Sequence, residues 1–102
     1  MIQYRIPGRL GYNSQNGRYG LLNSDLWEHE GFHCGEILDI WDEDDEKWIP
    51  TRMEMSIDRE WYLVGTPYRG DLIEGLHASI VRGYSETGLE LSSLEKMYVG
   101  TI

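Results

Sequence analysis

The sequence predicts a mostly β domain, and three observations carry that prediction. Twelve glycines, four tryptophans and seven tyrosines in 102 residues favour turns and aromatic strands over helices. Helical periodicity is weak almost throughout the chain. Strand-like runs recur at short spacing, and the joints between them carry turn chemistry. Together these describe a small SH3-like or partly open β-barrel of five to seven strands with a C-terminal appendage.

In chain order the runs are Tyr4 to Tyr12, Tyr19 to Asn23, Glu36 to Trp41, Trp48 to Met55, Trp61 to Gly65 and Leu76 to Arg82. No strand is read between Asn23 and Glu36. The first pair is joined by Asn13 to Gly17, where Asn16-Gly17 tolerates the positive φ angles of a hairpin turn. Asp42 to Glu46, five consecutive carboxylates, joins the third run to the fourth. Asp58 to Glu60 makes the next short link, and Thr66-Pro67 to Gly70 reverses the chain before the last run. Three meander hairpins closed by the sixth strand follow from this order.

Alternation within the strands separates two faces. Leu38 and Ile40 oppose Ile37, Asp39 and Trp41; Ile49, Thr51, Met53 and Met55 oppose Trp48, Pro50, Arg52 and Glu54. The aliphatic face is the core, and the aromatic and polar face looks outward. Burying a leucine or isoleucine is worth roughly 1.5 to 3 kcal/mol, so the pattern fixes register. Pro50 has no backbone donor and belongs at an edge or a bulge.

Residues 1–82 form the expected β domain and 83–102 a tail. There Ser92-x-x-Glu95 resembles a capping box, with Leu91, Leu94 and Tyr98 at helical spacing, while Met97 to Ile102 reads equally well as a strand.

Composition narrows the function classes. Nine basic against eighteen acidic side chains give a net charge of -9, with only two lysines. Direct nucleic-acid binding is disfavoured, because affinity for phosphate backbones comes from lysine and arginine displacing counterions. Cys34 is the single cysteine, so no internal disulfide forms and a reducing cytoplasm is the expected setting. Arg5, Pro7, Gly8 and Arg9 interrupt any apolar signal core, and no run of apolar residues is long enough to span a membrane.

Chemistry-bearing residues are few. His29, His33 and Cys34, with Glu36 and His77, supply donors for a zinc, although their spacing matches no known metal signature. Cys34 with a histidine base is a conceivable nucleophile, but Glu36 beside it raises a thiol pKa rather than lowering it. Glycines follow no phosphate-loop or dinucleotide pattern, so no cofactor is expected. The densest charge is Asp42 to Glu46, extended by Glu36 and Asp39 to seven acids in eleven residues. Its plain interpretation is a solvated hairpin tip. Its sharper one is a docking surface for a basic partner. Trp48 and Arg52 on the outer face add the residue types of interaction hot spots.

Three ordered blocks carry a family resemblance. Phe32-His33-Cys34-Gly35-Glu36, Trp48-Ile49-Pro50-Thr51-Arg52-Met53-Glu54 and Trp61-Tyr62-Leu63-Val64-Gly65 resemble the small bacterial family called domain of unknown function 5348, over about Gly8 to Ile80. The resemblance implies a bacterial cytoplasmic setting, among Firmicutes and often on mobile elements, and no particular activity. Two features depart from it: the very acidic Asp42 to Lys47 loop, and a closing strand, Gly75 to Ile80, without a basic, β-branched ending.

The expected function is therefore non-enzymatic: an interaction or regulatory module that engages a basic partner protein through Asp42, Glu43, Asp44, Asp45 and Glu46 with Trp48 and Arg52. An inhibitor of a nucleic-acid-binding defence protein, of the anti-CRISPR kind, is one concrete form. A peptide- or ligand-binding β domain using its aromatic face, a zinc-stabilised domain, and a Cys34 hydrolase are the competing classes. Oligomeric state is left open by the sequence.

Overall fold

The computed structural model describes residues 2–84. Among them are seven strands: β1 (Ile2–Asn13), β2 (Arg18–Asn23), β3 (Leu26–His29), β4 (Ile37–Asp42), β5 (Lys47–Met55), β6 (Trp61–Leu63) and β7 (His77–Tyr84). A single 3-10 turn, Gly70–Ile73, precedes the last strand. The chain is mostly β, as the sequence predicts. The short helix and the strand expected near Ser92 and Met97 lie outside the described residues.

All strand pairs are antiparallel, in the order β3-β2-β1-β7-β4-β5-β6. Two meanders, β1 to β3 and β4 to β6, thus flank β7. β7 pairs with β1 from Ile2↔Tyr84 to Arg9↔His77, but with β4 only at Asp39↔Ser79 and Ile40↔Ala78. This corrects the expectation that the last strand closes a barrel: it is the central strand, and the sheet stays open. The two ends of the sheet approach through side chains instead of a ladder. The Trp61 indole N–H donates to the Gly17 carbonyl at 2.9 Å, and the Tyr19 hydroxyl donates to the Gly70 carbonyl at 3.1 Å.

β3 was not expected because its turn lacks the usual signal. Asn23 pairs with Leu26 around a two-residue loop, Ser24-Asp25, with φ of 52° and 67°. Two left-handed residues make the primed turn that suits strand twist, reached here without asparagine-glycine. Gly20 on β2 makes room for this hairpin, since a Cβ there would strike the His29 carbonyl and come within 2.8 Å of the Trp27 ring.

The concave face holds the core: Leu10, Tyr19, Leu21, Phe32, Leu38, Ile40, Met53, Leu63, Ile73, Ala78 and Ile80. Register follows the predicted alternation, with Leu38 opposite Thr51 and Ile40 opposite Ile49. Leu38 and Met53 are fully buried, whereas Ile37 is 76% exposed. Met55, expected inside, is exposed where β5 runs past the core. Pro50 sits opposite Asp39 in the β4–β5 ladder. Met53 exchanges backbone bonds with Glu36 and Gly35 on the β4 side, while the Arg52 carbonyl accepts from Val64 on the β6 side. By that parity the missing Pro50 donor faces the β6 side, beyond the Met53–Met55 stretch that β6 pairs. An edge position, as predicted, is what it occupies.

Candidate functional site

The β4–β5 hairpin is built by its own first residue. Asp42 pairs with Lys47 across the ladder, and its Oδ1 accepts the backbone N–H groups of Asp44 and Asp45 at 3.0 and 3.4 Å. Such a side-chain turn is what aspartate favours at this position. Asp45 lies 3.9 Å from the Lys47 Nζ. The carboxylates of Glu43 and Asp44 have no hydrogen-bond or ion-pair partner among the described residues, so their charge is not used within the fold.

Behind the hairpin the outer face of the sheet carries an aromatic cluster. Trp41 and Trp48, cross-strand partners, meet edge to face with centroids 5.1 Å apart. His77 on β7 lies 5.1 Å from Trp48 and 6.1 Å from Trp41. The Arg5 guanidinium covers the Trp48 ring at 5.0 Å and donates from Nη1 to Asp39 Oδ2 at 2.7 Å and to Ser79 Oγ at 2.6 Å. One guanidinium therefore spans four strands, and it accounts for Ser79 being fully buried on the outer face.

Hairpin and cluster share a cleft of about 620 Å³. Asp42, Glu43 and Asp44 line one side; Trp41, Tyr68 and His77 line it too, together with the aliphatic Ile40, Ile49, Pro67 and Leu76. Arg9 also reaches it, making a single 3.4 Å hydrogen bond to the Gly75 carbonyl. Three carboxylates against one guanidinium leave the cleft negative.

Of the residues singled out from sequence, Asp42, Glu43 and Asp44 line this cleft, while Asp45 and Glu46 stand at the hairpin tip outside it. Trp48 backs the cleft by packing on Trp41 and His77. Arg52 is not brought to it: four residues along β5 from Trp48, about 13 Å away, it pairs with Glu54 at 3.1 Å. Sequence reasoning missed Tyr68, Arg9 and Arg5 here, and named His77 only as a zinc donor. Only the alternation that turned Trp41 outward pointed toward them.

The proposed zinc donors are not gathered into one site: only His29 and Glu36 meet side chain to side chain. His29 Nε2 meets Glu36 Oε2 at 2.8 Å, and the Gly31 N–H donates to His29 Nδ1 at 3.2 Å. Since Nδ1 accepts, Nε2 carries the hydrogen and donates to the carboxylate. Both ring nitrogens are engaged, and the ring stacks on buried Phe32 at 4.1 Å. Burial raises the Glu36 pKa, but the His33 backbone N–H at 2.7 Å and the His29 imidazole outweigh it, and the carboxyl ends below its ordinary value. Cys34 is exposed, and His77 belongs to the aromatic cluster. Among the described residues no group of three or more histidine, cysteine or acidic side chains is arranged to hold a metal. A larger cleft, about 860 Å³, opens beside His29 and Glu36. Its arginines are already tied to backbone, Arg18 to the Phe32 carbonyl and Arg82 to the Glu28 carbonyl.

Fold and site define a small, open, all-antiparallel β domain with an acid-rimmed cleft of mixed aromatic and aliphatic lining at one end. The chain belongs to the family of domain of unknown function DUF5348, whose model matches residues 8–80. It is similar to the crystal structure of a protein from Ruminococcus gnavus, a structural genomics target. The identity is 34% and the TM-score 0.60, covering 74% of this chain and all of that one. Comparison with curated proteins gives no match. No helix among the described residues is long and apolar enough to cross a membrane.

Proposed function

We propose that the protein is a non-enzymatic interaction module that engages a basic partner protein through the acidic end of its sheet. The observation that carries this reading is the pair of uncommitted carboxylates, Glu43 and Asp44, on the wall of a cleft that Trp41, Tyr68 and His77 also line. A net charge of -9 steers encounter with a cationic surface and repels phosphate backbones. The reading places the protein in a bacterial cytoplasm, on a mobile element, where a defence protein with a nucleic-acid groove is one partner of suitable charge.

The test is capture of partners on the immobilised chain at low and high salt, with an Asp42→Asn, Asp44→Asn, Asp45→Asn variant as comparison. Asparagine preserves the side-chain turn while removing charge. Retention of a basic protein at low salt, released by high salt and lost in the variant, is expected. If the variant retains the same partner, the hairpin is not the docking surface.

The cluster of Trp41, Trp48 and His77 favours a second reading, a peptide-binding domain that works through its aromatic face. There the charge-neutralised variant keeps its affinity and a Trp48→Ala variant loses it.

A further inference from the structure

We propose that the cleft between the acidic hairpin and the Thr66–Tyr68 loop receives a single arginine side chain presented by the partner. This rests on the interaction reading above and names the group that enters.

The molecule itself shows how it holds a guanidinium. Arg5 lies over Trp48 at 5.0 Å and donates to the Asp39 carboxylate. Arg69 lies 5.8 Å from the Tyr62 ring centre, with its Nε 2.8 Å from Glu60. In both places the arginine takes one aromatic face and one carboxylate. The cleft offers the same combination, with Trp41, Tyr68 and His77 beside Asp42, Glu43 and Asp44. Its own cation, Arg9, is spent on the Gly75 carbonyl and makes no ion pair with these acids.

Charge and shape select the guest. A volume of about 620 Å³ is ample for one long side chain and falls within the range of ligand pockets. An arginine head is planar, weakly hydrated and forked, so it stacks on a ring while donating sideways to two acids. A lysine ammonium is a strongly hydrated point charge that gains less from the rings. A neutral guest leaves Glu43 and Asp44 desolvated without compensation.

The experiment is an NMR titration of the full chain with acetyl-Gly-Arg-Gly-amide, set beside the lysine and citrulline counterparts. Saturable shifts of the Trp41 indole and of Tyr68 and His77 are expected with arginine, at least threefold weaker binding with lysine, and none with citrulline. A Glu43→Gln, Asp44→Asn variant should weaken the arginine peptide about tenfold. Neither side chain is bonded within the fold, so the rest of its spectrum should be unchanged. Equal binding of citrulline overturns the proposal, as do shifts confined to residues outside the cleft. A dimer abolished by the same variant would assign the cleft to a second copy and overturn it too. Polylysine separates the two levels of the argument. If it binds in a salt- and hairpin-dependent way while the arginine peptide does not, only the cleft assignment falls; if neither binds, the basic-partner reading falls with it.

Discussion

The β1–β2 and β4–β5 hairpins are built to one plan and serve different ends. Each has a four-residue loop, from Asn13↔Arg18 and from Asp42↔Lys47. Each begins with a side-chain turn, Asn13 Oδ1 accepting from Gln15 and Asp42 Oδ1 from Asp44. Each ends on a left-handed residue, Gly17 at φ 71° and Glu46 at φ 49°. In the first, glycine takes the left-handed position, and the loop is fastened: Trp61 holds Gly17, while the Asn13 and Asn16 amides donate to the Glu30 carbonyl. The second carries a glutamate where glycine fits better, and no other element among the described residues is bonded to its tip. A left-handed conformation costs an L-residue about 1–2 kcal/mol. The acidic loop therefore keeps charge at the expense of backbone comfort, whereas the first loop keeps the sheet ends together.

Removing the fastening gives the largest expected effect. Trp61→Ala should destabilise by about 3 kcal/mol in urea melts, from lost packing and the lost Gly17 bond. Backbone amides of residues 14–17 should then exchange as fast as those of 43–46. Equal protection before and after would show that the two loops never differed.

The opening residues come next. Asn13→Ala should cost about 1.5 kcal/mol, since it loses bonds to both Gln15 and Glu30. Asp42→Ala should cost about 1 kcal/mol, and Asp42→Asn almost nothing. A costly Asp42→Asn would mean that the charge, rather than the turn, supports the fold. At the left-handed position the sign should reverse: Glu46→Gly raises stability by about 0.5–1 kcal/mol and Gly17→Ala lowers it by about 1 kcal/mol. Matching signs from thermal melts would contradict the shared plan.

A third connection, between β3 and β4, sharpens the comparison through pH. Glu36 is opposed by burial but held ionised by the His33 N–H and by His29, so its folded pKa lies below its unfolded one. Its contribution is complete above the unfolded value, about 4.3, and disappears as pH falls through the lower folded value. Melting temperature should drop over that acidic range, and Glu36→Gln should flatten the drop. An unaltered profile in the variant would remove Glu36 from the account.

Much of the fold was legible in residue order. Alternation through Leu38, Ile40, Thr51 and Met53 set the inward face, and Asn16-Gly17 and the acid run marked two turns correctly. Ser24-Asp25 hid β3, because nothing local advertises two left-handed residues in that pair. Strand order was also hidden. Whether β7 joins an edge or splits the sheet depends on partners such as Arg5 and Ser79, far apart in the chain. The site was half visible for the same reason. Its acids and Trp48 are local to one hairpin, while Tyr68 comes from the loop that folds back on β6 and His77 arrives only when β7 takes its place beside β4.

That placement has a consequence for biosynthesis. Both meanders emerge from the ribosome before residues 77–84, so for a time β1 and β4 each present a bare edge without the neighbour that will separate them. Assembly has to wait for contacts such as Arg5↔Val81, among the longest-range in the molecule, and long-range pairing slows folding. Nascent chains stalled short of β7 should consequently be prone to pairing with one another, a tendency that their negative charge opposes.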